Sequence, residues 1–102
     1  MRNITANAIF NMKEVPATLY VHGSIMIYHS NERISIKKAI PQGTNPNILI
    51  LDLKIVEGNG PMKGTTKPFH YKTIKEEAKN YSQVTIRYSM NDSITVDVEK
   101  FG

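Results

Sequence analysis

Thr18-Leu-Tyr-Val-His-Gly-Ser-Ile-Met-Ile-Tyr28 is the stretch that decides the fold class. Leu19, Val21, Ile25 and Ile27 fall on one parity, and Thr18, Tyr20, His22, Ser24, Met26 and Tyr28 on the other. Successive side chains of a strand point to opposite faces. The segment therefore reads as a strand with an aliphatic face on a core and a polar, aromatic face turned away from it. The same period of two continues on either side. Upstream, Ile4, Ala6, Ala8, Phe10 and Met12 oppose Thr5, Asn7 and Asn11 until Pro16 breaks the run. Downstream, Ser30-Asn31-Glu32 reads as a turn, and Ile34 and Ile36 then alternate with Arg33, Ser35 and Lys37.

Pro41-Gln-Gly-Thr-Asn-Pro46 is too rich in proline and glycine to continue either neighbour. From Asn47 to Val56, Leu49, Leu51, Leu53 and Ile55 share one parity, while Ile48 and Ile50 make the first half apolar on both faces. That pattern suits a central strand, or one covered at that end by a loop. Glu57 to Pro68, with three glycines and two prolines, is expected to be the longest and most mobile connection. Phe69, Tyr71 and Thr73 alternate with His70 and Lys72. Thr73-Ile-Lys-Glu76 fits a capping box opening a short helical turn over 74–79, with Glu76, Glu77 and Lys79 placed to suit its dipole. Val84, Ile86, Tyr88 and Met90, then Ile94, Val96 and Val98, form the last two strands. A two-residue Asn91-Asp92 hairpin is expected between them.

Seven short strands in 102 residues predict a single all-β domain over 1–102, a seven-stranded antiparallel β-sandwich with one short helical turn near 74–79. The pattern resembles the immunoglobulin and fibronectin-III sandwiches in architecture, and that resemblance casts Tyr81 as a tyrosine corner. The disulfide and its packed tryptophan are absent, since the chain has no Cys and no Trp. A five-stranded OB barrel is the alternative.

The composition narrows function by exclusion. Without cysteine there is no disulfide framework, thiolate metal site or cysteine nucleophile. No apolar run approaches the ~18 residues of a membrane span. The start, Met1-Arg-Asn-Ile-Thr5, lacks a signal peptide's apolar stretch. The expected compartment is thus cytoplasmic, or secreted or periplasmic where a leader has been removed. The formal charge of +4 favours anionic partners without demanding them. His22, His29 and His70 form no metal-ligand spacing, and no nucleophile elbow or paired-carboxylate motif occurs. No catalytic residue, metal or cofactor is therefore expected. Asp97 and Glu99 read as outward carboxylates on a terminal edge strand.

Two surfaces remain. Tyr20, His22, Met26 and Tyr28 share the outward parity, and amphipathic aromatics and Met are enriched in binding patches. The loop from Gly58 to Pro68 is not a Walker motif, but Asn59, Lys63 and Lys67 make it a candidate anion-binding loop. The expectation is a non-catalytic protein-interaction or structural module with a protein partner or a second copy of itself. The alternative is an OB-like binder of single-stranded nucleic acid, with Arg33 and Lys37 on phosphates. A small hydrolase ranks third.

Overall fold

The computed structural model describes residues 2–102, except for the side chain of Lys63. Its strands are β1 (Ile4–Asn11), β2 (Thr18–His29), β3 (Arg33–Lys38), β4 (Ile48–Val56), β5 (Met62–Thr73), β6 (Gln83–Arg87) and β7 (Ser93–Phe101), with a 3-10 helix at Glu76–Asn80. Strand accounts for 60% of the chain. All seven strands lie in one mixed sheet, ordered β3-β4-β6-β7-β1-β2-β5, and this sheet curls until it is nearly closed into a barrel. The barrel is flattened, with extents of 44 × 28 × 17 Å. No helix among the described residues is long and apolar enough to cross a membrane.

The expected all-antiparallel arrangement is corrected by two parallel pairings, β1 with β7 and β4 with β6. β7 is shared between two neighbours. Its first half, Ser93–Asp97, pairs with β6, and its second half, Val98–Phe101, pairs with β1. Alternating patterns assign the faces of a strand but not its neighbours, so the sequence held no signal for either parallel pair.

The inward parities build the core. Leu19, Val21, Ile25 and Ile27 of β2 are buried, as are Leu49, Leu51 and Leu53 of β4 and Val84 and Ile86 of β6. Each such side chain contributes roughly 1.5–3 kcal/mol over exposure. Gly23 falls on the inward parity of β2, opposite Phe69 of β5 and Ala6 of β1. A Cβ there would lie 2.7 Å from Phe69 Cζ and 1.9 Å from the Thr5 carbonyl oxygen. The glycine thus leaves the space that the Phe69 ring fills.

β4 is apolar on both faces near Ile50 for a reason beyond its place between β3 and β6. The loop that precedes it folds back on it. Gln42 Nε2 donates to the carbonyls of Ala39 and Ile50, and its Oε1 accepts the Ile50 N–H, each at 2.8 Å. The amide stands in for one more residue of β3 pairing, past the point where the β3 backbone leaves the ladder at Ile40-Pro41.

Four local expectations are corrected. The segment read as a mobile loop to Pro68 is strand from Met62 onward, paired with β2, and only 57–61 remain as the connection. β5 is an edge of the sheet, where a proline's missing N–H breaks no ladder on the open side. The capping box does not form. Lys75 is the N-cap without a side-chain bond, and the Thr73 hydroxyl accepts the Lys75 N–H at 3.2 Å. The last hairpin turns through five residues, Tyr88–Asp92, closed by Tyr88 and Ser89 N–H donating to the Asp92 carbonyl, with no non-glycine residue at positive φ. Tyr81 is buried in the core, and among the described residues its hydroxyl makes none of the backbone bonds of a tyrosine corner.

The two free edges, β3 and β5, approach each other at the seam without a hydrogen-bonded ladder. Side chains span it instead. Lys38 pairs with Glu77 of the helix at 3.5 Å, and Lys67 Nζ donates to the Glu32 carbonyl at 2.6 Å. At the turn after β2, the Glu32 carboxylate is fully buried yet ionised. Arg2 Nη1 donates to Oε1 at 2.6 Å, and the N–H groups of Tyr28 and His29 donate to Oε2 at 3.0 Å each. Burial works against the charge, but these donors outweigh it and hold the carboxyl below its ordinary range. Arg2 also donates to the Met26 carbonyl and stacks 4.3 Å above the Tyr28 ring. The network fastens the segment before β1 onto the turn between β2 and β3.

Candidate functional site

β1, β2 and β5 lie side by side, and their register aligns outward side chains into rows. Asn7, His22 and His70 form one row. Ile9, Tyr20 and Lys72 form the next. The parallel pairing of β7 with β1 puts Glu99 beside Ile9 and so extends that row by one strand. Asp97, two residues earlier, lies next to Asn7, and Asn7, Ile9, His22, Asp97 and Glu99 line one shallow hollow of about 450 Å³. β7 is interior to the sheet, so Asp97 and Glu99 do not guard an edge, as the terminal-strand reading held. They bring negative charge to the margin of this face.

Tyr20 is the fixed point of the surface. Its hydroxyl donates to both Glu14 carboxylate oxygens, at 2.7 and 2.8 Å. Glu14 in turn accepts from Asn11 Nδ2 at 3.1 Å. The bonded carboxylate stabilises the neutral phenol and raises the Tyr20 pKa above its ordinary value. The His70 ring stands 6.3 Å from the Tyr20 ring, tilted by 47°. A half-buried tyrosine and an exposed histidine thus form a ridge of two rings beside the hollow.

The four residues of the expected face do not act together. Tyr20 and His22 sit at the centre of the rows, whereas Met26 is half-buried and Tyr28 lies beneath the Arg2 guanidinium. Asn7, Ile9, His70, Lys72, Asp97 and Glu99 complete the surface, and no local signal tied them to Tyr20. Their outward parity was legible, but their proximity to Tyr20 depends on register and on the β1/β7 pairing.

The chain matches no protein-family model, no curated protein and no solved structure.

The candidate anion loop is differently disposed from the expected cluster. Asn59 Oδ1 accepts from Asn31 Nδ2, Asn31 Oδ1 accepts the Gly60 N–H, and Lys67 is engaged with the Glu32 carbonyl. The third residue, Lys63, has its side chain outside the described residues. Arg33, Lys37 and Lys54 occupy the outward side of the β3–β4 pair, exposed and without an ion pair among the described residues. Arg87 beside them is held by Asp52 through two bonds of 2.7 and 3.0 Å, which raise its pKa. These cations lie on β3 and β4, across the seam from β5 and outside the β7-β1-β2-β5 run that carries the Tyr20 face. Among the described residues no group of three His, Asp or Glu side chains is placed to hold a metal ion.

Proposed function

We propose that the protein is a non-catalytic protein-binding module whose contact surface is the outer face of β1, β2 and β5. The observation that supports this is the Tyr20–His70 ring pair, fixed by the Glu14 carboxylate beside the hollow on the same sheet face. Rigid amphipathic rings supply contact area at low entropic cost, because little freedom remains to be lost on binding. The test is retention of partners from source-cell extract by immobilised full chain. The wild type is compared with Tyr20→Ala/His70→Ala, and Lys54→Ala serves as the control on another face. Loss of a discrete partner in the double variant alone supports the assignment; equal retention by all three proteins would overturn it.

A second reading, single-stranded nucleic-acid binding, is favoured by the unpaired trio Arg33, Lys37 and Lys54. Three neutralised phosphates would give a salt slope of about −2 on logarithmic axes. No oligonucleotide binding at ~50 mM salt would remove this reading.

A further inference from the structure

Resting on the proposed binding face, we infer that its partner is a second copy of this chain, docked face to face about a dyad parallel to the strands. The row Glu99–Ile9–Tyr20–Lys72 runs across four adjacent strands and is acidic at one end and basic at the other. Three strand spacings of about 4.8 Å put its ends roughly 14 Å apart, too far to pair within one copy. Among the described residues neither Glu99 nor Lys72 has an ion-pair partner. A dyad between β1 and β2, parallel to them, lays each row on its own reverse. Glu99 then meets Lys72 of the partner subunit twice over, and Ile9 lies against Tyr20 of the partner subunit.

The neighbouring row behaves the same way, bringing Asp97, which among the described residues has only the Gln83 amide as a side-chain partner, over the His70 side of the other copy. Shape agrees with charge. The hollow lies on the β7–β1 side and the Tyr20–His70 ridge on the β2–β5 side, so the same rotation seats ridge in hollow. A dyad across the strands would instead superpose the acidic margin on itself, and like charges there oppose docking. An isologous contact of this kind closes at two copies. The face is about 20 Å wide and largely polar, so the dimer is weak, with a Kd on the order of 100 µM.

Sedimentation equilibrium of the full chain from about 20 µM to 1 mM, at low and at ~0.5 M salt, reads the association. Lys72→Glu and Glu99→Lys are each expected to weaken it at least ~10-fold, and Lys72→Glu/Glu99→Lys to restore it to within ~2-fold. Both sites are exposed, and unchanged thermal unfolding confirms that the variants fold. A monomer at 1 mM and low salt would overturn the dimer. So would a dimer that ignores either single reversal, or one that the double reversal fails to rescue. If the protein is monomeric yet Tyr20→Ala/His70→Ala still abolishes capture of another protein, the dimer is refuted while the binding face stands.

Discussion

Truncating Glu32 to alanine tests how much of this small domain's stability depends on one buried charge. The carboxylate accepts from Arg2 Nη1 and from the N–H groups of Tyr28 and His29 and is itself 0% exposed, whereas the Arg2 side chain is 14% exposed. Removing one member of a buried, hydrogen-bonded pair costs about 3–5 kcal/mol. The turn is close to solvent through Arg2, so water can reach some of the abandoned donors, and the lower end, about 3 kcal/mol, applies. A chain of this length has an unfolding entropy of about 0.21 kcal/mol/K, so Tm should fall by about 14 °C at pH 7. Glu32→Gln, which keeps the shape and loses the charge, should cost about 2 kcal/mol. The two proteins must also differ in pH response. The folded-state pKa of Glu32 is depressed, so its contribution is fully present above the ordinary carboxylate pKa and is lost as pH falls through the folded value. The gap between wild type and Glu32→Gln should therefore be widest near pH 7 and shrink steadily below about pH 4.3. Thermal unfolding by circular dichroism at several pH values measures both. A Tm loss under ~3 °C for Glu32→Ala, or a Glu32→Gln gap unchanged down to pH 3, would refute the assignment of a stabilising buried carboxylate.

Three further outcomes are expected. Gly23→Ala should cost about 3 kcal/mol, since its methyl group must displace the Phe69 ring and the β1 backbone; a variant as stable as wild type in urea would show that the space is not filled as described. Gln42→Ala removes three amide bonds around Ile50 and should cost about 1–2 kcal/mol. It should also speed exchange of the Ile50 amide roughly tenfold relative to amides in β2, an effect absent if the side chain is merely a cover. Glu14→Gln should bring the Tyr20 phenol back down toward its ordinary range, followed by carbon NMR of the tyrosine ring, and an unmoved titration would mean that Glu14 does not hold it.

Inward parities were legible within the strands, though Met12 and Met90, read on the same parities, lie past the strand ends and are exposed. Leu19, Val21, Ile25 and Ile27 declared the buried face of β2 because alternation is a property of one strand alone, and the same holds for Leu49, Leu51 and Leu53. What the sequence did not carry was adjacency. The parallel pairings bring together residues ninety positions apart for β1 and β7, and nothing local encodes them. Pro68 and Gly64 read as loop residues because their cost in a central strand is high; on the β5 edge Pro68 breaks no ladder on the open side. Glu32 read only as part of a turn, since its counter-ion arrives from Arg2, thirty positions away. The candidate face divides likewise, with Tyr20 and His22 named by parity and Glu99 and Lys72 supplied by topology.

The pairing of β1 with β7 also has a mechanical consequence. The two strands run parallel, so tension applied to the start of β1 and the end of β7 draws them in opposite directions along their common axis. The ladder between Ala8–Asn11 and Val98–Phe101, with the added Met12 N–H to Phe101 carbonyl bond, is then loaded all at once in shear. A hairpin pulled from its open end would part bond by bond. Here every rung must fail together, which makes this short ladder the clamp of the domain under stretch.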